Sequence, residues 1–130
     1  MNLRRFERPR LWRALGWLLV ALIVLLSLTP PLHLQQLDMP TWNDKVGHFI
    51  AYFALSAWYA QLYASGRAMM VRVLFCLVLG LSMEGLQSLT ATRSADWRDM
   101  IANAVGVLCG GLTWFTAFAL ALQRWDRRAP

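Results

Sequence analysis

The sequence predicts an all-α protein, a four-helix transmembrane bundle with both chain ends in the cytoplasm. Two features of the composition indicate a membrane protein: 58% of the 130 residues are hydrophobic and only 15% are charged, whereas soluble domains carry about a quarter. A third feature is the arrangement, since the charged residues form short clusters between four long apolar runs. The length limits the chain to one domain, predicted to be a single membrane domain over residues 1–130.

Four membrane spans are predicted at about residues 11–29, 46–64, 69–89 and 100–122. A helix crosses a bilayer with about 20 largely apolar residues. The last three runs reach this length easily, and the first does so when Leu11, Trp12 and Thr29 are counted. The first run can also be interpreted as a signal peptide, because a basic segment precedes it. No small-residue cleavage site follows it before Pro30 and Pro31, so we expect a retained helix.

Most of the arginines precede the first span, lie in or beside the loop between the second and third spans, or follow the fourth span, whereas Arg93 and Arg98 are balanced by Asp96 and Asp99. The positive-inside rule therefore places both termini and the loop between the second and third spans in the cytoplasm. An isoelectric point of about 10.4 would suggest nucleic-acid binding in a soluble protein. Here the basic residues flank apolar spans, so the expected partner is the lipid bilayer and no nucleic acid is expected. The arginines on the predicted cytoplasmic side are Arg4, Arg5, Arg8, Arg10, Arg13, Arg67, Arg72, Arg124, Arg127 and Arg128.

Polar residues from three separate stretches are predicted to meet at the outer level of the membrane. The stretches begin the second span, end the third span and open the fourth span. Residues three or four apart on a helix share a face, as do Asp44 with His48, Glu84 with Gln87, and Asp99 with Asn103. The predicted polar cluster consists of Asp44, Lys45, His48, Glu84, Gln87, Arg93, Asp96, Asp99 and Asn103.

Two glycines indicate which way this cluster faces. Gly106 and Gly110 continue the stripe of Asp99 and Asn103 along the fourth helix. Glycines four residues apart let another helix backbone approach closely, so the stripe is predicted to pack inside the bundle. The polar side chains on the same stripe are therefore expected to point inward. On the second helix, a polar and aromatic stripe continues below His48 at Tyr52, Ser56 and Tyr59.

Most members of the cluster also have a simpler explanation. Lys45 and Arg93 could extend to the lipid headgroups. Carboxylates at helix starts are favoured as N-caps and by the helix dipole. Capping alone could therefore account for Asp44, Asp96 and Asp99.

Glu84 is harder to explain in this way. It lies roughly one turn inside the third span, near a helix C-terminus where the dipole disfavours negative charge. A lone carboxylate at such a depth costs about 2.5 to 3.5 kcal/mol on insertion scales. It requires a proton, a cation or a hydrogen-bond donor, and Lys45, His48 and Arg93 are predicted to reach the same depth. Glu84 is therefore predicted to organise the cluster or to act in its function.

Three motifs in this order resemble the VanZ-like family of bacterial membrane proteins. They read Asp44-Lys45-x-x-His48-Phe49, then Glu84-x-x-Gln87, then Arg93-x-x-Asp96-x-x-Asp99-x-x-x-Asn103-x-x-Gly106. The resemblance covers about residues 43–111 and the helix before them. It implies a multi-pass protein of the bacterial cytoplasmic (inner) membrane. The family takes its name from a protein associated with resistance to the glycopeptide antibiotic teicoplanin, and the resemblance implies no particular reaction.

The first function hypothesis is a binding or modulating protein of the cell envelope. An outward-facing charged pocket could hold an envelope lipid headgroup, an envelope precursor or a glycopeptide antibiotic. Lys45, His48 and Arg93 would contact anionic groups, while Glu84 and the aspartates would accept hydrogen bonds from donors. The sequence requires no cofactor for this role.

The alternative is a membrane enzyme that acts on an envelope lipid. His48 and Glu84 are the candidates for general acid and base, although no nucleophile motif accompanies them. A metal-assisted version is also open, because one imidazole and several carboxylates suit magnesium or manganese better than zinc. A proton path is a third class, which is disfavoured because the polar stripe fades near Tyr59.

Overall fold

The computed structural model describes residues 3–29, 44–89 and 96–128, and its regular elements are helices. Within these residues, extended backbone pairs at one isolated antiparallel bridge between Leu3 and Tyr63. The all-α class predicted from the sequence is therefore confirmed. The elements are α1 (Pro9–Leu28), α2 (Asp44–Leu62), α3 (Gly66–Ser88), α4 (Trp97–Leu112), two 3-10 segments (Thr113–Phe115 and Ala117–Leu120) and α5 (Ala121–Asp126).

Two helices present apolar side chains on their outer surfaces. Trp17 and Leu18 of α1, and Met70 and Leu74 of α3, each have more than half of their surface exposed. A soluble protein rarely exposes apolar faces of this extent, whereas lipid chains solvate them without penalty. Both α1 and α3 are long and apolar enough to cross a membrane.

Helix α2 is the central element of the bundle. It contacts α1, α3, α4, both 3-10 segments and α5. Tyr52, Leu55, Ala60 and Leu62 are almost fully buried along it. Because these side chains meet other helices rather than lipid, α2 accommodates polar residues such as Gln61, whose Oε1 accepts a hydrogen bond from the backbone amide of Leu122 at 3.1 Å.

The backbones of α2 and α4 meet at two glycines of α4. A Cβ atom on Gly106 would lie 2.5 Å from the carbonyl oxygen of Phe49 and 3.1 Å from the backbone nitrogen of Phe53. A Cβ on Gly110 would collide with the carbonyl oxygen of Phe53. Any larger side chain at these positions would hold the two helices apart.

The chain after α4 departs from the straight helix expected over residues 100–122. Helix α4 has 16 residues, which at about 1.5 Å each extend about 24 Å, less than the roughly 30 Å of a hydrocarbon core. The segments Trp97–Phe115 and Ala117–Asp126 are apolar enough to span together, but they are bent by 73°. The described residues therefore contain two helices that could span a membrane, or three if the bent pair is one span. The four spans stay a prediction.

Two threonines explain the bend. Thr113 Oγ1 donates to the carbonyl oxygen of Gly110 at 2.6 Å, and Thr116 Oγ1 donates to that of Thr113 at 2.7 Å. Thr116 itself is extended, with φ −110° and ψ 169°, and its hydroxyl accepts from the amide of Phe118. These side-chain bonds compete with the helical backbone pattern, so the helix tightens into 3-10 turns and breaks.

The N- and C-terminal segments are joined at the end of the bundle that is rich in arginine. Asp126 is 1% exposed and accepts hydrogen bonds from Trp12 Nε1 at 2.9 Å and from the backbone amide of Glu7. The buried Asp126 side chain therefore connects the two ends of the chain.

Candidate functional site

Three helix ends bring polar side chains together at the opposite end of the bundle. Helix α2 contributes His48 from its first turns, α3 contributes Glu84 from its last turns, and α4 contributes Asp99 and Asn103. Taken as whole residues, these four are between 1% and 8% exposed. The arrangement follows from topology, since α2 and α4 begin at the end where α3 finishes.

His48 lies at the centre of this group. Its Nδ1 is 3.0 Å from Asn103 Oδ1 and 3.8 Å from Glu84 Oε1. Its Nε2 is 4.0 Å from Asp99 Oδ2. With the Asn103 amide in this orientation its oxygen can only accept, so Nδ1 carries the proton of the hydrogen bond. The imidazole is thus held between two carboxylates from different helices.

Lys45 forms the exposed rim of the same group. Its Nζ donates to Asp96 Oδ2 at 3.1 Å and lies 3.2 Å from Asp99 Oδ1. The Lys45 and Asp96 side chains are 37% and 36% exposed, whereas that of Asp99 is 10% exposed. The hydrogen bonds to Asp96 and Asp99 raise the pKa of Lys45. The aspartates hold the ammonium group where the buried cluster meets the exterior.

Asp96 combines the capping role with a role in the cluster. Its Oδ1 accepts from the backbone amide of Arg98 at 2.9 Å, as an N-cap of α4 does. This hydrogen bond, together with the one from Lys45, holds the pKa of Asp96 below its usual range. The capping explanation for Asp96 is therefore correct but incomplete, because the second oxygen is paired with Lys45.

A small residue on α3 makes room for the cluster. A Cβ on Gly80 would lie 3.2 Å from Asn103 Cβ and 3.3 Å from the ring of Tyr52. The Tyr52 hydroxyl and the Ser56 Oγ are buried below the cluster, with no hydrogen-bond partner among the described residues. The sequence interpretation missed Gly80, because a single glycine in an apolar helix carries no signal of its own.

Three predicted members of the cluster have other positions or are not described. Gln87 is buried and its Nε2 donates to the carbonyl oxygen of Ser27 at 2.7 Å, so it joins α3 to α1. Arg93 and the side chain of Asp44 lie outside the described residues. The residues brought close together are Lys45, His48, Glu84, Asp96, Asp99 and Asn103.

This arrangement is compatible with more than one chemistry. His48, Glu84 and Asp99 each offer one ligand atom, and these atoms lie within 4.8 Å of one another, as a metal site requires. One imidazole and two carboxylates suit magnesium or manganese. His48 and Glu84 are also near enough to exchange a proton through a bound molecule. Lys45 offers an ammonium group to an anion at the rim.

These features define a helical membrane protein with charged side chains buried at one end of its bundle. Residues 10–120 match the model of the VanZ/LLP1 family. The match covers more than half of the chain, and the protein belongs to this family. The resemblance inferred from the sequence motifs is thereby confirmed. Comparisons with curated proteins and with solved structures found no match.

Proposed function

We propose that this protein binds or modulates a component of the bacterial cell envelope through the cluster around His48. The ligand is an envelope lipid, a lipid-linked precursor or a glycopeptide antibiotic. One observation carries the proposal: His48, Glu84 and Asp99 are buried together in a bundle whose outer surface is apolar. Ionisable groups at membrane depth are costly, and apolar residues would often hold a bundle together equally well. Their presence is best explained by a ligand.

The proposed orientation puts this cluster on the outer side of the cytoplasmic (inner) membrane. Both termini and the α2–α3 loop are then cytoplasmic, and α2 and the bent α4 segment complete four spans. The arginines support this orientation, because most of them lie at the end opposite to the cluster, whereas Arg93 and Arg98 on the cluster side are balanced by Asp96 and Asp99. The central position of α2 explains how a helix with so many polar residues can cross the membrane, since its neighbours shield it from lipid.

Residues at the rim of the cluster and residues in its interior would contact different chemical groups of the ligand. Lys45 is partly exposed and is the first charge that an anionic headgroup would reach. The deeper carboxylates of Glu84 and Asp99 accept hydrogen bonds from hydroxyl or ammonium groups. A headgroup that carries both a phosphate and sugar or amine donors satisfies both parts.

Binding assays with defined probes test the proposal. Purified protein in detergent is titrated with a polyprenyl phosphate and, separately, with teicoplanin. Loss of a charge-assisted hydrogen bond costs about 1.5 to 3 kcal/mol, so Lys45→Gln should weaken binding of the preferred probe about tenfold or more. Arg98→Gln is the matched control, because Arg98 is exposed on the same end of the bundle and stacks over Trp97 at 5.6 Å instead. Equal affinities for the two variants would contradict the proposal.

The second candidate function is a metal-assisted enzyme acting on an envelope lipid. It is favoured by the ligand atoms of His48, Glu84 and Asp99, which lie within 4.8 Å of one another. Titration with Mn²⁺, followed by electron paramagnetic resonance, should give one bound ion per chain, lost in Asp99→Asn. Turnover of a polyprenyl phosphate or pyrophosphate should then require the metal. No Mn²⁺ binding in the wild type would exclude the metal-assisted version.

A further inference from the structure

A second cavity lies at the other end of the bundle from His48. Its volume is about 220 Å³, and it is enclosed by the start of α1, the end of α2 and the start of α3. His48 and Tyr63 are 15 residues apart in the chain, which corresponds to about 22 Å along a helix. The cavity is therefore separate from the cluster described above. Its lining residues are Leu3, Arg13, Trp17, Tyr59, Leu62, Tyr63 and Arg72.

The charged side chains among the described lining residues of this cavity are positive. Arg13 and Arg72 contribute two guanidinium groups, and no acidic side chain is among the described lining residues. The Arg72 guanidinium carbon lies 4.8 Å from the ring centroid of Tyr63 and 5.5 Å from that of Tyr59. Stacking on aromatic faces orients a guanidinium, and a guanidinium can contact phosphate or carboxylate oxygens in a planar, two-pronged way. The geometry favours a phosphate or carboxylate ligand.

The N-terminal segment closes one side of the cavity. Leu3 pairs with Tyr63 in the isolated bridge, and the backbone amide of Arg4 donates to the carbonyl oxygen of Leu62 at 2.8 Å. Trp114 Nε1 donates to the carbonyl oxygen of Tyr63 at 2.9 Å, which fixes the end of α2 from the other side. The cationic lining is therefore held in place by backbone contacts from three parts of the chain.

The remaining walls suit a lipid. Leu3, Trp17 and Leu62 supply apolar surface beside the two arginines, and Arg13 and Trp17 are exposed on α1. The cavity thus borders the outer surface of the bundle, where acyl chains lie in a membrane. Its volume equals that of roughly seven water molecules at about 30 Å³ each, enough for a phosphate group.

We propose that this cavity binds the phosphate group of an anionic membrane lipid. Arg13 and Arg72 hold the phosphate oxygens, and the acyl chains leave along the apolar surface of α1 beside Trp17. Basic pockets between helices are suited to anionic lipids because the headgroup is neutralised while the chains stay in the bilayer. This proposal is independent of the ligand proposed for the His48 cluster.

Native mass spectrometry of the purified protein in detergent tests the inference. Phosphatidylglycerol, phosphatidylcholine and inorganic phosphate are added separately, and retained adducts are counted. Phosphatidylglycerol should be retained at least about tenfold more strongly than phosphatidylcholine, because the choline cation of phosphatidylcholine would add a positive charge beside Arg13 and Arg72 and leave the headgroup without net negative charge. Arg13→Gln and Arg72→Lys should each reduce this preference, the second because lysine cannot form the two-pronged contact.

Arg67→Gln provides the matched control. Arg67 is exposed near the start of α3, carries the same charge and does not line the cavity, so its loss should leave lipid retention unchanged. Arg13 is exposed on α1, so Arg13→Gln tests the cavity even if Arg72 variants fail to fold. Equal retention of both lipids, or equal losses in Arg13→Gln and Arg67→Gln, would overturn the proposal. Arg72-dependent binding of inorganic phosphate without binding of phosphatidylglycerol would also overturn it.

Discussion

At the scale of single residues, Asp96 both caps a helix and binds Lys45 in the polar cluster. One oxygen of Asp96 caps α4 and the other accepts from Lys45, so the same carboxylate begins a helix and holds a cation at the rim. His48 is likewise defined by its neighbours, since its Nδ1 lies 3.0 Å from Asn103 Oδ1 and carboxylates of Glu84 and Asp99 lie within 4.0 Å of its ring nitrogens. The polar cluster at this end of the bundle is therefore defined by contacts between side chains of different helices.

The lowered pKa of Asp96 predicts a dependence of stability on pH. A carboxyl group whose pKa is lower in the folded state stabilises the protein above its unfolded pKa, and this contribution is lost as the pH falls through the folded value. Asp96→Asn keeps a capping oxygen but removes the charge. The melting temperature of the wild type should exceed that of Asp96→Asn at neutral pH. The difference should shrink as the pH falls below the usual range for aspartate.

Thermal unfolding in detergent, measured for both proteins across this range, checks the prediction. Because the other titratable groups are the same in the two proteins, the comparison isolates the effect of Asp96. If the difference between the two melting temperatures stays constant down to the lowest pH measured, the charge of Asp96 makes no contribution to stability.

At the scale of elements, the contact of α2 with α4 places the cluster. Gly106 and Gly110 allow the two backbones to touch, and this contact turns Asp99 and Asn103 toward α2. The role of glycine here could be anticipated, because the four-residue spacing is visible in the sequence. The bend at Thr116 could not, because threonine hydroxyls bond to the backbone in straight helices too, so the two threonines mark no break in the sequence.

Gly110→Leu should destabilise the bundle. A leucine side chain would collide with the carbonyl oxygen of Phe53, and overpacking of this kind costs about 1 to 3 kcal/mol. Gly85→Leu is the matched control, since a Cβ at Gly85 meets nothing within 4 Å. Thermal unfolding in detergent should show a clearly lower melting temperature for Gly110→Leu and little change for Gly85→Leu. Equal decreases in melting temperature in the two variants would show that Gly110 is not required for a close α2–α4 backbone contact.

At the scale of the whole molecule, charge and polarity divide the bundle into two ends. The arginine-rich end joins the chain termini through Asp126 and Trp12, and the other end holds the cluster around His48. The helical class and the family could be predicted from apolar runs and motif spacing. The bonds of Asp126 to Trp12 and of Gln87 to Ser27 could not, because they join residues 114 and 60 positions apart and Ser27 contributes only its backbone. The functional role of the cluster stays a prediction.

The proposed membrane orientation rests on the arginine-rich end of the bundle. Reporter fusions after Arg67 and at the C-terminus should read as cytoplasmic, and a fusion near Asp38 should read as external, because arginines are retained on the cytoplasmic side. The 73° bend makes the C-terminal fusion the most informative, since the last segment either completes a span or turns back. An external C-terminus would contradict the proposed four spans.

The central claim is that the cluster around His48 binds an envelope ligand, and Glu84 tests it most directly. Glu84 is 1% exposed and lies 3.8 Å from His48, and Glu84→Gln keeps its shape while removing its charge. The measurement is the melting temperature with and without teicoplanin or a polyprenyl-phosphate-linked sugar, whose hydroxyl groups can donate hydrogen bonds to Glu84. A ligand at a hundredfold excess over its Kd stabilises the folded state by about 2.7 kcal/mol. The wild type should gain this stability with one of the two probes, whereas Glu84→Gln should fold but gain none; equal gains in both proteins, or no gain in the wild type with either probe, would contradict the account.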